Sequence, residues 1–290
     1  PEACKSVAPI DKAEASKVLA QYLADVVQKG LDNVLDNGGD ISAQIGLANQ
    51  IVELIQNTTQ EADFAALGVD RRAEQLLALL RETDPRLAVG KTAADIERPE
   101  TSIAQSSLFT GAVHEPQMFT ELKKEIVSAD RIDMLVSFIK WSGLRLIMDE
   151  LREFTQNGGE LRIITTSYMG ATDIKAIEEL RQLPNTQIKV SYNTKTTRLH
   201  AKAYIFYRET GFTTAYVGSS NLSNAALTSG LEWNTKVTKR DLPETIDKIA
   251  ATFEYYWNDR EFEYYDEGQK ERLAQVWRSV VQQTLKLNRH

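Results

Sequence analysis

A histidine, a lysine and several small hydrogen-bonding residues lie close together in the last third of the sequence. The segment Arg198-Leu199-His200-Ala201-Lys202 is followed by Gly218-Ser219-Ser220-Asn221 and then by Gly230-Leu231-Glu232-Trp233-Asn234. On a strand, alternate residues share a face, so His200, Lys202 and Tyr204 would stand side by side. Imidazole and ammonium groups attract an anion, and Ser219 and Asn221 would add neutral donors. The pattern therefore predicts an anion site.

Two further groups fit this site. Glu232 can accept a hydrogen bond from the second ring nitrogen of His200 and so determine which nitrogen is free to react. Thr166 ends a predicted strand near Gly170, where hydroxyl and N–H groups could meet a phosphate or simply close the strand. One cysteine and three histidines leave few metal ligands, so no metal site and no cofactor are predicted.

The composition is that of a globular protein whose charge is unevenly distributed. Its 290 residues include 34 Lys and Arg and 41 Asp and Glu, a net charge of -7, and 42% are hydrophobic. Residues 1–100 carry 10 basic and 17 acidic side chains, which accounts for the whole of that net charge. Residues 186–240 carry eight basic and two acidic side chains, and this local excess of six favours an anionic partner.

Compartment and membrane association follow from the same composition. The single cysteine, Cys4, excludes an intramolecular disulfide framework and favours the cytoplasm. The longest apolar runs, such as Leu76–Leu80, are five residues long, whereas a membrane-spanning helix needs about 20. No membrane partner is therefore predicted.

The elements that must position the site change in type along the chain. Residues 1–82 have helical periodicity, with amphipathic segments at Leu19–Val27, Ile41–Ile55 and Arg71–Arg81. Residues 83–106 lose the periodicity and are predicted to be a linker.

Strands and helices alternate after residue 106. The predicted strands are Ile132–Phe138, Leu161–Thr166, Gln187–Tyr192, His200–Tyr207, Thr213–Val217 and Leu231–Val237. The predicted helices are Pro116–Ser128, Gly143–Thr155, Thr172–Leu183, Leu242–Trp257 and Gly268–Gln283. This alternation predicts a layered α/β domain with a mixed sheet at 107–262, followed by a C-terminal helix at 263–290.

The HxK and GSxN motifs, with a glutamate eleven residues after the asparagine, resemble the phospholipase D superfamily. That family's half-motif is HxKxxxxD followed by GSxN. More narrowly, HAKAYIFYRETGFTTAYVGSSNLSNAALTSGLEWN resembles the N-terminal phospholipase D-like domain of bacterial superfamily 2 helicases related to restriction enzymes. The resemblance covers about residues 107–260 and implies an α/β/α fold there, whereas the helical segment before it is predicted from its periodicity alone.

Two features depart from the family pattern. Tyr207 occupies the position of the family aspartate. Gly218 lies 16 residues after Lys202, against about 12 in the compact pattern, which predicts a longer hairpin through Arg208–Phe212.

The resemblance implies a nuclease-type phosphodiesterase with a phosphohistidine intermediate and no metal. Its implied catalytic residues are His200, Lys202, Ser219, Asn221 and Glu232. The predicted phosphate contacts are Lys202, Ser219, Ser220 and Asn221, together with Thr166 from its position at a strand end. The chemistry needs two HxK motifs and this chain has one, so a homodimer is expected to complete the site. The implied partners are nucleic acid, with DNA favoured over RNA, and helicase motor domains expected after His290.

Two other functions stay open. The domain could hold a DNA backbone for a helicase without cleaving it, with Tyr207 marking weakened catalysis. It could also cleave a phospholipid, although the sequence has no prominent basic amphipathic helix or apolar lid.

Overall fold

The computed structural model describes residues 8–74, 98–112, 114–193, 199–228 and 232–287. The chain divides into two compact units, Pro1–Gln75 and Leu76–His290. Most of the predicted helix at Arg71–Arg81, residues 83–97 of the predicted linker and the start of the strand predicted at Leu231 lie outside the described residues. The domain boundaries given above stay predictions.

The first unit contains two α-helices, α1 (Ala15–Asp36) and α2 (Ile41–Thr59), followed by a short 3-10 helix. Gly38, between the helices, has a φ of 86°, a left-handed conformation that glycine adopts without strain. Asp40 then caps α2 by accepting a hydrogen bond from the Ala43 amide at 2.9 Å. This part of the chain is helical, as the periodicity predicts.

The second unit is built on a mixed sheet that has eight strands within the described part of the chain. The strands are β1 (Ser107–Phe109), β2 (Arg131–Leu135), β3 (Glu160–Thr166), β4 (Thr186–Ser191), β5 (Ala203–Tyr207), β6 (Thr214–Gly218), β7 (Asn234–Thr238) and β8 (Phe262–Tyr264). Their order is β1-β7-β6-β5-β2-β3-β4-β8. Strands β2, β3 and β4 are parallel, whereas β2 and β5 are antiparallel. The prediction of a mixed sheet is confirmed.

Helices cover both faces of the sheet. They are α3 (Met118–Ile126), α4 (Trp141–Leu144), α5 (Met148–Gln156), α6 (Ile174–Arg181), α7 (Asn224–Thr228), α8 (Pro243–Asn258) and α9 (Lys270–Leu287). Tyr204 and Phe206 of β5 pack on the side that includes α3, α5 and α6, whereas Ala203 and Ile205 pack on the side of α8. The domain therefore has the predicted α/β/α layers. Within the described residues, no helix is long and apolar enough to cross a bilayer.

The structure differs from the sequence prediction at short elements. The edge strands β1 and β8 have three residues each, too few to show alternation. The helix predicted at Gly143–Thr155 is divided into α4 and α5. The strand predicted from His200 begins at Ala203, so His200 and Lys202 precede it. At the end of the predicted linker, Ile103 is only 1% exposed.

A buried carboxylate holds the strands that carry the site motifs. Glu125 of α3 accepts hydrogen bonds from Arg208 at 2.6 Å, from Thr214 at 2.8 Å and from Tyr216 at 3.0 Å. Lys236 of β7 lies 3.0 Å from the same carboxylate. Burial raises the pKa of Glu125, but the charges of Arg208 and Lys236 outweigh it and lower that pKa to about 2. Glu125 is therefore an anion that links α3 to β6, β7 and the residue after β5.

Candidate phosphodiester site

The predicted site residues lie along one edge of the sheet. The carboxyl ends of β2, β3 and β6 and the amino ends of β5 and β7 meet there. His200 and Lys202 precede β5, Ser219 and Asn221 follow β6, and Glu232 precedes β7. Thr166 is the last residue of β3 on the same edge. The antiparallel hairpins thus bring together residues that are far apart in the sequence.

Lys202 is folded back against His200. Its side chain is largely enclosed, with the residue 3% exposed, while His200 is exposed. Lys202 Nζ donates to the His200 carbonyl oxygen at 2.5 Å and lies 3.1 Å from His200 Nδ1. Burial lowers the pKa of Lys202, and the nearby carboxylate of Glu232 opposes this change. The pair presents an ammonium group directly beside an accessible imidazole.

The partner of His200 Nδ1 differs from the expectation. The sequence placed Glu232 at the second ring nitrogen, but in the structure Lys202 Nζ occupies that position. An ammonium group can only donate, so in this arrangement Nδ1 accepts and a neutral ring carries its proton on Nε2. His200 is then set to give a proton at Nε2.

Ser219 is fixed by the strand beside it. Its amide donates to the Trp233 carbonyl oxygen at 3.0 Å, and the Trp233 amide donates to Ser219 Oγ at 3.1 Å. The Gly218 amide donates to the Lys202 carbonyl oxygen at 3.2 Å. A Cβ on Gly218 would lie 2.1 Å from the Trp233 carbonyl oxygen, so only glycine allows this close approach. The glycine thereby holds the Lys202, Ser219 and Trp233 segments together.

Asn221 is held by its amide oxygen. Its Oδ1 accepts from the Phe138 amide at 3.2 Å, just beyond the carboxyl end of β2. The side chain is therefore anchored across the edge, with its NH2 group as the remaining donor. Asn221 fits the predicted contact to a phosphate oxygen.

Two of the predicted phosphate contacts are enclosed by the protein. Ser220 is 0% exposed, and its hydroxyl donates to the Ala226 carbonyl at 3.3 Å and accepts from Asn234 Nδ2 at 2.7 Å. Thr166 is 4% exposed, and its hydroxyl donates to the Ser137 carbonyl at 2.9 Å. Both hydroxyls thus position loops at this edge, and direct phosphate contact stays a prediction for these two residues as it does for Lys202, Ser219 and Asn221.

Asn234 also positions the site, although it belongs to neither the HxK nor the GSxN motif. Its side-chain NH2 donates to Ser220 Oγ and its Oδ1 accepts from the Ser220 amide at 3.4 Å, so one side chain holds both the hydroxyl and the amide of Ser220. In the sequence, only its position two residues after Glu232 indicates that Asn234 lies near the site.

The family aspartate position lies far from this edge. Tyr207 ends β5, five residues after Lys202, which at about 3.3 Å per residue is about 16 Å away along the strand. The Arg131 guanidinium lies 3.9 Å from the centre of the Tyr207 ring. Burial, together with the charge of Asp133, raises the pKa of Tyr207. The substitution therefore changes packing at the opposite end of the strand and removes no group from the site.

The basic stretch at 186–240 is also less exposed than its charge count suggests. Arg208 and Lys236 are paired with buried Glu125, and buried Lys189 donates to the Trp257 carbonyl oxygen. Lys195 and Arg198 lie outside the described residues. Among the basic residues of this stretch that the structure describes, Lys202 is the one placed beside His200.

The site and fold together define an α/β/α domain with a histidine–lysine pair at one edge of a mixed sheet. Residues 122–257, which include all the predicted catalytic residues, match the family described as "Cardiolipin synthase, PLD-like domain". Residues 122–257 are therefore a phospholipase D-like domain. No curated protein matches the chain.

Several solved structures are similar to the chain. NucT from Helicobacter pylori is 22% identical, with a TM-score of 0.41, over 52% of this chain and 94% of that chain. Nuc from Salmonella typhimurium, a phospholipase D family member, is 20% identical, with a TM-score of 0.43, over 56% of this chain and 100% of that chain. Phosphatidylserine synthase from Haemophilus influenzae is 11% identical, with a TM-score of 0.44, over 64% of this chain and 45% of that chain.

Proposed function

We propose that the protein hydrolyses phosphodiester bonds of nucleic acid, with DNA favoured over RNA, through a phosphohistidine on His200. The observation that carries this proposal is the grouping of exposed His200 with Lys202, Ser219 and anchored Asn221 at one edge. Lys202 and Asn221 can stabilise the negative charge that phosphoryl oxygens gain in the transition state. Ser219 is placed to contact the same oxygens or to position Glu232.

The proposed reaction uses two histidines in complementary states. Nε2 of one His200 attacks phosphorus as the bond to the leaving oxygen breaks, and the second His200 protonates that oxygen from Nε2. Water then attacks the phosphohistidine, giving its proton to the second histidine, and the N–P bond breaks. The arrangement with Lys202 at Nδ1 suits the proton donor. A nucleophilic Nε2 needs the ring proton on Nδ1, and the Nδ1–H group would donate a hydrogen bond to the carboxylate of Glu232.

The second histidine comes, in this proposal, from another copy of the chain. His114 and His290 lack a lysine two positions later, so one chain supplies one HxK motif. We expect light scattering to give twice the chain mass of 32.6 kDa at concentrations where cleavage occurs. A monomeric species whose specific activity stays constant on dilution to nanomolar concentrations would contradict a shared site.

Loss of His200 is the first test of the activity. His200→Ala should abolish any DNA cleavage that the wild type shows in the presence of EDTA, because it removes both the nucleophile and the proton donor. His114→Ala is the matched control, since His114 is also exposed and lies outside the site. Cleavage that persists in His200→Ala, or that needs Mg²⁺, would exclude the mechanism. Phosphatidylcholine vesicles, assayed in parallel, test the lipid alternative.

A nucleic-acid-binding module without cleavage is the second candidate. The observation that favours it is the contact of Lys202 with His200 Nδ1. This contact keeps the ring proton on Nε2, so Nε2 cannot attack unless Glu232 replaces Lys202 as the partner of Nδ1. Under this function the chain binds DNA with strong salt dependence and forms no covalent adduct. Label from ³²P-labelled DNA that stays on His200 after quenching at alkaline pH, where the N–P bond survives, would exclude it. Attachment to helicase motor domains and a cytoplasmic location rest on the sequence alone and stay predictions.

A further inference from the structure

A cleft of about 340 Å³ lies directly beside the proposed site. It is bounded by the residues before β7, by the last turn of α7 and by the chain leading into α3. Glu232 and Asn234 both line it. The cleft therefore shares residues with the catalytic edge, although the proposed reaction makes no use of its volume.

The lining of this cleft is unsuited to a phosphate group. Phe109, Met118 and Leu227 form an apolar part, each no more than 7% exposed. The polar lining residues are Glu115, Gln117, Thr228, Glu232 and Asn234. No lysine or arginine is among the lining residues that the structure describes. A small cavity with an apolar part, a few polar groups and two carboxylates suits a flat, uncharged ring with hydrogen-bonding edges.

The distance to the phosphate site fits a group attached to that phosphate. Asn234 pairs with Gly218 across β6 and β7, and the Gly218 amide is bonded to the Lys202 carbonyl. Two steps between strands separate Asn234 from Lys202, about 10 Å at the usual spacing. Glu232 acts electrostatically on Lys202 while it lines the cleft. A nucleoside can therefore extend from the phosphate into the cleft.

We propose that this cleft binds the base of the nucleotide whose phosphate reacts at His200. The inference rests on the proposed function and adds its substrate class. A base paired in a duplex cannot enter a side cleft, because it must first leave the stack and its partner. The substrate is then single-stranded nucleic acid or an unpaired end.

Filling the cleft tests the proposal with a matched control. Thr228, at the end of α7, has its hydroxyl bonded to the Asn224 carbonyl, so Thr228→Phe would place a ring in the cleft. A second cleft, also of about 340 Å³, includes Thr186, whose hydroxyl is bonded to the Pro184 carbonyl. Thr186 begins β4 and lies at the opposite end of the sheet from the site. Thr186→Phe therefore makes the same change away from His200.

The readout compares a diester that has a base with one that has none. We expect the wild type to cleave thymidine 5′-(p-nitrophenyl phosphate) at least tenfold more efficiently, in kcat/KM, than methyl p-nitrophenyl phosphate. Thr228→Phe should remove this preference and leave the methyl ester unaffected, whereas Thr186→Phe should retain it. An equal loss on both esters, or an unchanged preference, would overturn the proposal.

Failure of the proposed activity can be recognised separately. If the wild type cleaves neither ester, calorimetry with thymidine 5′-monophosphate and inorganic phosphate replaces the kinetic readout. Tighter binding of the nucleotide that is lost in Thr228→Phe and kept in Thr186→Phe would support a base-binding cleft in a non-cleaving protein. Equal binding of the nucleotide and phosphate would overturn the inference.

Discussion

Lys202→Met should lower kcat for phosphodiester cleavage by two to three orders of magnitude. Methionine retains the length and apolar stem of the enclosed lysine, so the change removes mainly the ammonium beside His200. Losing one preorganised donor to a developing oxyanion typically costs about 10²–10³ in kcat. Steady-state kinetics on bis(p-nitrophenyl) phosphate, which is small and lacks a base, measures this effect directly.

The matched control for this variant is Lys239→Met. Lys239 belongs to the same basic stretch but is paired with Asp247, away from the histidine. If the ammonium of Lys202 acts on the reacting phosphate, Lys239→Met should retain wild-type kcat. Equal losses in both variants would show that general positive charge, rather than the position beside His200, supports the reaction.

The variant also has a spectroscopic signature at His200. With Lys202 absent, Nδ1 loses the donor that lies 3.1 Å away, so the ring is free to place its proton there and face Glu232. Nitrogen chemical shifts of His200 should move toward the Nδ1-protonated form in Lys202→Met. Unchanged shifts would mean that the contact between Lys202 and His200 does not set the tautomer in solution.

Motif order and hairpin pairing let the sequence predict that the candidate site residues meet at one edge. His200 and Lys202 precede one strand and Ser219 and Asn221 follow its antiparallel neighbour, so pairing alone brings them to one edge. The burial of Ser220, in contrast, cannot be predicted from motif order or strand pairing. It depends on Asn234 reaching across from β7, a contact that no local pattern shows.

The charge count overestimates the accessible positive charge around the site for a related physical reason. Arg208 and Lys236 raise the local count as much as Lys202 does, yet both side chains are buried with Glu125, 83 and 111 positions earlier in the sequence. Whether such a charge is buried depends on a partner that is distant in the sequence.

The break between α4 and α5 also depends on a distant contact. It contains no proline, and a Cβ on Gly143 would lie 2.4 Å from the Ser223 amide nitrogen. The periodicity predicts one continuous helix, but close packing against Ser223 holds α4 as a separate short helix.

Glu125→Gln should destabilise the second unit by about 3–5 kcal/mol at pH 7. The carboxylate and its two cations are enclosed, with side-chain exposures of 0% for Glu125 and Lys236 and 2% for Arg208. Removing the anion leaves two buried positive charges without compensation, which is the costly way to break a buried ion pair. Urea unfolding followed by tryptophan fluorescence measures the loss, with exposed Glu153→Gln as the control. A change below 1 kcal/mol would show that the cations find other partners.

The pH dependence of that difference identifies the anion as its cause. The pKa of Glu125 is about 2 in the folded protein and 4.5 for an unperturbed glutamate, so the folded state favours the ionised form. Such a group contributes stability above the unfolded pKa, here about 3 kcal/mol, and loses it as the pH falls from about 4.5 toward 2. The wild type should therefore lose its advantage over Glu125→Gln across this interval, while Glu153→Gln follows the wild type. A gap that stays constant from pH 7 to pH 3 would assign the loss to packing. A narrowing gap would show that an ionised Glu125 holds together the strands that carry His200, Ser219 and Glu232.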